Sequence, residues 1–187
     1  RGPVHRRRLA QKIIRNLRFV GLTFEHCAWS PAGVRYAGSQ ACFHFSGKDN
    51  DDSGGQAVTP AVEVENARTV RFEACTFRNL GGSGVWLGYG CRDSAIAGCT
   101  VTDVAGNGVM LGEPSGKSGP LGGPGQAGAS GANSVRDCVI ERCGVVYYGA
   151  VGLWVGLSGD NVIARNEIRY LPYTGISVGW MWNPTPT

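Results

Sequence analysis

No apolar run in this 187-residue sequence approaches the roughly 18 residues that a bilayer span requires, so no membrane insertion is expected. No signal peptide is visible, although the chain opens on Arg1 rather than Met. Charged residues are scarce at 17 % against 42 % hydrophobic, which excludes long-range disorder. Histidine is scarcer still: His5, His26 and His44 show no metal-ligand spacing, and no metal site is expected from them. There is no G-x-S-x-G nucleophile elbow. Gly112-Glu113-Pro114-Ser115-Gly116-Lys117-Ser118 is one residue short of a phosphate-binding loop and runs into Gly and Pro rather than a helix. Asp49-x-Asp51-x-Ser53-Gly54 begins like a calcium loop, but its twelfth position is Pro60, not Glu. Calcium there is the one cofactor that the patterns admit; otherwise none is expected. From residue 19 onward no segment carries a helical period.

What the chain has in excess is glycine, 30 of 187, without the G-X-Y period of collagen. Its basicity is local. Residues 1–18 carry Arg1, Arg6, Arg7, Arg8, Lys12, Arg15 and Arg18 and no acid, while the remainder holds 11 basic and 14 acidic side chains. A nucleic-acid partner would need a basic face on the folded body, and none is expected. Leu9, Ile13 and Leu17 recur at i, i+4 and i+8, which predicts a short amphipathic helix over Arg6–Leu17 as a cap within the basic segment 1–18.

Two patterns alternate along the body. The first has hydrophobic residues around a small or polar one: Phe19/Leu22/Phe24/Cys27, Phe72/Cys75/Phe77/Leu80, Ile96/Cys99/Val101/Val104, Val135/Cys138/Ile140/Cys143 and Ile163/Asn166/Ile168/Leu171. The second is glycine-bounded: Gly84-Val85-Trp86-Leu87-Gly88, Gly108-Val109-Met110-Leu111-Gly112, Gly152-Leu153-Trp154-Val155-Gly156 and Gly175-Ile176-Ser177-Val178-Gly179, with a degenerate copy Ala61-Val62-Glu63-Val64. Cys75 and Cys99 are 24 residues apart, Cys138 and Asn166 28. Short strands recurring at this interval without helices predict an all-β, right-handed parallel β-helix of about five coils. Each coil buries little alone; stacked coils share a continuous core. The β-helix is expected over residues 19–182, with insertions at 28–58 and 114–131 and a tail at 183–187. The last glycine-bounded copy ends at Gly179 with no capping segment after it. The reading is therefore a β-helix truncated at its C-terminal end, its open edge covered by missing coils or a partner chain.

Equivalent positions predict equivalent places. Cys75, Cys99 and Cys138 should stack as buried thiols, in preference to disulfides, whose geometry parallel side-chain vectors disfavour, or to a metal site. In the glycine-bounded strand the flanking residues face the core, so Glu63, Trp86, Met110, Trp154 and Ser177 line the outer face. Either the 114–131 loop or a missing domain covers these side chains, or they form a platform for sugar rings, with Trp86, Trp154 and Trp180 as the substrate-binding residues. Glycoside chemistry needs two carboxyls across a cleft. Glu113, Asp160 and Asp103 are the candidates near the glycine-bounded strands, with turn chemistry as the competing role of each.

Leu17-Arg18-Phe19-Val20-Gly21-Leu22-Thr23-Phe24-Glu25-His26 resembles the opening coil of right-handed parallel β-helix glycoside hydrolases, the bacterial type that includes α-L-fucosidases and xylan-active enzymes, within the pectin lyase-like folds. Val70–Phe77, Gly106–Val109 and, most distinctively, Leu171–Trp180 extend the resemblance, which covers about residues 16–182. It implies a secreted or periplasmic bacterial protein whose partner is a polysaccharide or oligosaccharide. It also implies that the acid pair lies on coils following Ile176–Trp180, so no catalytic residue transfers onto this chain. A non-catalytic carbohydrate-binding or surface-structural β-helix is the alternative. A polysaccharide lyase ranks lower, because no Lys or Arg occupies the middle of a glycine-bounded strand.

Overall fold

The structure, a computed structural model, describes residues 13–30, 41, 43–45, 55–113 and 129–179. Three parallel sheets of five strands each run the length of the molecule. Sheet 1 holds β6 (Pro60–Val64), β10 (Ser83–Leu87), β13 (Val109–Leu111), β16 (Leu153–Val155) and β19 (Ile176–Val178). Sheet 2 holds β2 (Arg18–Val20), β8 (Arg71–Glu73), β11 (Ala95–Ala97), β14 (Ser134–Arg136) and β17 (Val162–Ala164). Sheet 3 holds β3 (Thr23–Glu25), β9 (Thr76–Leu80), β12 (Thr100–Val104), β15 (Val139–Cys143) and β18 (Glu167–Arg169). The chain visits the sheets in rotation and returns one strand spacing further along. This is the expected parallel β-helix of about five coils.

Register fixes what stacks on what. Phe19, Phe72, Ile96, Val135 and Ile163 form one column, and Phe24, Phe77, Val101, Ile140 and Ile168 another. The phenylalanine rings stack face to face at 4.9 Å in both columns. With the paired Val, Ile and Leu residues of sheet 1 these columns form the continuous core inside the coils. The leading glycines of the glycine-bounded strands have a steric reason. A Cβ on Gly84 would lie 2.3 Å from the Gly108 carbonyl oxygen, and one on Gly108 would lie 2.6 Å from that of Gly152.

Each coil turns three corners, and each corner turns on one residue in the left-handed region. The first column of such residues is Asn16, Thr69, Asp93, Ala132 and Asp160; the second is Gly21, Ala74, Gly98, Asp137 and Arg165; the third is His26, Asn79, Asp103, Arg142 and Tyr170. Their N–H groups keep bonding along the axis, as Ala74 N–H does to Ala97 O (3.0 Å) and Ala132 N–H to Gly159 O (2.9 Å). One residue later a side chain from the next coil takes over as acceptor. Val70 N–H donates to Ser94 Oγ (3.1 Å), Ser94 N–H to Asn133 Oδ1 (3.1 Å) and Asn133 N–H to Asn161 Oδ1 (3.0 Å). The thiol ladder occupies the same place at the second corner: Cys75 N–H donates to Cys99 Sγ (3.4 Å), and Cys138 N–H to Asn166 Oδ1 (3.0 Å). All six described cysteines are free. Burial pushes the Cys91 thiol up to about 12.

The cap expected over Arg6–Leu17 is not helical where it is described. Ile14–Arg15 is a strand, β1, paired in parallel with β7 (Ala67–Arg68) of the following coil. Its backbone finds acceptors there, Ile14 N–H bonding to Asn66 O (3.2 Å) and Asn16 N–H to Arg68 O (3.1 Å), which a free-standing helix would forgo. Residues 6–12 lie outside the described residues, as do the calcium-like stretch 48–54 and the tail. Of the insertion 28–58, β4 (Phe43–Phe45) and β5 (Gly55–Ala57) pair antiparallel. No helix among the described residues is long and apolar enough to cross a membrane.

Buried thiols acting as rungs set an expectation for labelling. In the native protein a maleimide should modify the exposed Cys27, while Cys75, Cys91, Cys99, Cys138 and Cys143 react only after denaturation. Phe72→Ala should cost about 3–5 kcal/mol by denaturant unfolding. Rapid native labelling of Cys99, or an unfolding midpoint unmoved by Phe72→Ala, would contradict this packing.

Candidate functional site

Alternation along sheet 1 places Val85/Leu87, Val109/Leu111 and Leu153/Val155 inside and the residues between them outside. Register then stacks Glu63, Trp86, Met110, Trp154 and Ser177 in one outward column. This face is not open. Trp86 is 7 % exposed and Met110 and Trp154 are 0 % exposed; with Ala41 and Val151 they form a second hydrophobic core, against which Tyr89 packs. An indole covered in this way offers no ring face to a sugar, which corrects the expectation of an aromatic platform at Trp86 and Trp154. Trp180 lies outside the described residues.

Local contacts hold the indoles in place. Trp86 Nε1 donates to Gly112 O (2.9 Å), tying the ring to the end of the next strand. A Cβ on Gly156 would stand 2.2 Å from the Trp154 ring and 2.2 Å from the Glu113 carbonyl oxygen, so this glycine makes room for both. Asn107 fastens the insertion to the stack. Its Nδ2 donates to Ala41 O (2.6 Å), and its Oδ1 accepts from Val151 N–H (2.9 Å).

Glu113 follows β13 directly and is 2 % exposed. Burial holds its carboxyl above the usual carboxylate range, against hydrogen bonds from Ser130 and Gly90 that act the other way. Its carbonyl accepts from Leu157 N–H (3.0 Å), while its Oε2 is buried with no hydrogen-bond partner among the described residues. Desolvation thus shifts this carboxyl toward its protonated form. Glu63, in register with Trp86, is also raised, first by burial and then by the neighbouring Glu65 charge.

The other candidate acids do not join Glu113. Asp103 belongs to the third corner column and is held by Arg142, whose Nε and Nη2 donate to Oδ1 and Oδ2 at 2.9 and 2.6 Å. Asp160 belongs to the first corner column and is exposed. Both sit where Asp is favoured as a left-handed turn residue. No three His, Cys, Asp or Glu side chains cluster as a metal site among the described residues. The alignment of Glu63 with Trp86 in the degenerate repeat marks Glu63 as a further acid of this face, whereas no sequence pattern signals the bonds of Asn107 to Ala41 and Val151.

The family described as "Right handed beta helix region" matches residues 33–180, most of the chain. Among solved structures, one titled "Glycoside hydrolase" is similar at 24 % identity with a TM-score of 0.75 over 95 % of this chain. This chain spans 33 % of that one, and at this identity the likeness is one of fold. No curated protein matches.

The raised Glu113 carboxyl has a signed consequence for stability. Above about pH 4.3 the unfolded state releases this proton while the folded state keeps it, so stability falls as pH rises until the folded group also ionises. Glu113→Gln removes this component. The melting temperature of the wild-type protein relative to Glu113→Gln should therefore decline as pH rises from about 4.3. Parallel curves above that pH would contradict a buried, neutral Glu113.

Proposed function

This chain belongs to the right-handed β-helix family, and on that basis we propose that it is part of a carbohydrate-active protein, a glycoside hydrolase acting on plant or bacterial polysaccharide. The observation that carries the reading is the five-coil parallel β-helix, matched by the right-handed β-helix family over residues 33–180 and similar in fold to a structure titled "Glycoside hydrolase". Hydrolysis of a glycosidic bond needs one protonated carboxyl and a second one about 5–5.5 Å away in a retaining enzyme or about 6.5–9.5 Å away in an inverting one. In this reading the catalytic pair belongs to coils outside these 187 residues, as in the fucosidase and xylanase type that the sequence resembles, and the protein works in a secreted or periplasmic setting.

Burial of Trp86 and Trp154 favours a second reading, a non-catalytic binding or structural β-helix. Affinity electrophoresis of the 187-residue chain in xylan and in fucosylated polysaccharide, with reducing-sugar release measured in parallel, tests the glycan binding that both readings share and the assignment of the acid pair to further coils. Saturable retardation without turnover is the expected result. Glu113 is covered together with the tryptophans, so Glu113→Gln should leave glycan binding unchanged. No retardation in any glycan would overturn the carbohydrate reading. Sugar release by this chain alone would overturn the assignment of the acid pair to further coils.

A further inference from the structure

Gly112 and Glu113 form a turn that borders both buried indoles. Gly112 sits in the left-handed region (φ 86°), and its carbonyl accepts from Trp86 Nε1 at 2.9 Å. The Glu113 carbonyl accepts from Leu157 N–H at 3.0 Å. Gly156, one residue earlier, leaves space for the Trp154 ring and for that same carbonyl. The two carbonyls that seat Trp86 and border Trp154 therefore belong to the peptide units on either side of the Glu113 Cα.

The Glu113 carboxyl is buried at this turn, and its surroundings suit the neutral form. Ser130 and Gly90 N–H groups donate to it, while Oε2 has no hydrogen-bond partner among the described residues. The Ser130 hydroxyl gives its single proton to Gly88 O at 2.6 Å, so toward Glu113 its oxygen accepts. A protonated Glu113 has a proton to offer there; an ionised one meets a lone pair and keeps an unsolvated oxygen. The adjoining stretches 88–93 and 156–160 bring Tyr89, Cys91, Arg92, Asp93 and Asp160 as their titratable groups. Tyr89 packs on the Trp86 ring, the Cys91 thiol donates to Val64 O and Arg92 Nη1 to Ala129 O, and Asp93 and Asp160 are exposed corner residues. The forces acting on Glu113 are burial and its neutral hydrogen-bond partners, with no cation among them to offset a negative charge.

We propose that Glu113 is a proton-controlled latch on the tryptophan-lined face of sheet 1. Protonated, it stays buried, and the Gly112–Glu113 turn keeps the Trp86 indole bound and Trp154 covered. Ionised, it gives its proton to solvent and moves out to water, the turn releases Trp86 Nε1, and the face opens. Opening stays local, because β10, β13 and β16 remain paired in register without the turn. The sign follows from linkage. Once hydrated, the carboxyl ionises at an ordinary value of about 4.3, whereas the covered carboxyl keeps its proton to higher pH, so rising pH favours the open form. The latch governs the covering of this face and requires no glycan, so it stands apart from the carbohydrate reading.

The test is hydrogen exchange at the Trp86 indole N–H, read by NMR in the 187-residue chain and assigned by the loss of its resonance in Trp86→Phe. After correction for the intrinsic pH dependence of exchange, wild-type protection should fall by up to about tenfold per pH unit above about pH 4.3. The amides of β12 and β15 in sheet 3 should keep theirs. Glu113→Gln cannot ionise and should hold Trp86 protection constant over the same range. Thermal unfolding at each pH checks that both proteins are folded, and the wild-type profile decides alone if the variant does not fold. Trp86 protection that is independent of pH in wild type, or that falls alike in Glu113→Gln, would overturn the proposal. Equal loss at Trp86 and at the sheet 3 amides would also overturn it, because ionisation would then weaken the whole fold and not release a local latch.

Discussion

Every coil must turn in the same three places, and at each place one residue adopts a left-handed backbone. For a residue with a Cβ that costs roughly 1–2 kcal/mol, and thirteen of the fifteen corner residues are not glycine. What holds them is the coil above and the coil below. Corner N–H groups donate along the axis to backbone carbonyls, and at the first two corners the next residue donates to Ser94, Asn133, Asn161, Cys99 or Asn166 of a neighbouring coil. A single coil has no such partners, so the strain is tolerated only in the stack. The polar and thiol ladders are therefore part of the backbone hydrogen-bonding scheme.

The same constraint sorts the acids. Asp103, Asp137 and Asp160 occupy corner columns, where a short polar side chain suits the left-handed conformation, and two of them also answer an arginine one coil away. Glu113 and Glu63 escape this explanation. They lie at the sheet 1 face, Glu113 almost fully covered and Glu63 exposed; desolvation raises both carboxyls, and one Glu113 oxygen has no hydrogen-bond partner among the described residues. Desolvating a carboxyl without pairing it is costly. The chain carries that cost at the place where an insertion, fastened through Asn107 to Ala41, closes over two tryptophans.

Much of this was legible in the residues. The alternation of two short patterns marked the coils, the equivalence of Cys75, Cys99 and Cys138 marked a ladder, and the middle position of the glycine-bounded strand marked the outward column. Spacing reports which way Trp86 and Trp154 point but not what lies over them, because Ala41 reaches them from more than forty residues away in sequence. The same limit applies to the acids, since Asp103 and Glu113 differ in burial rather than in local pattern. The helical spacing of Leu9, Ile13 and Leu17 misled for a related reason. Ile14 and Arg15 gain axial partners on β7, and tertiary pairing prevails over a weak local period.

Amide hydrogen exchange read residue by residue tests the stacking account most directly. If side chains of neighbouring coils complete the axial bonding, the corner amides of Val70, Cys75, Ser94, Asn133 and Cys138 exchange as slowly as Val109 and Met110 within sheet 1. Corner amides that exchange at loop rates while the strands stay protected would contradict it, and the coils would then be held by their apolar core and strand pairing alone.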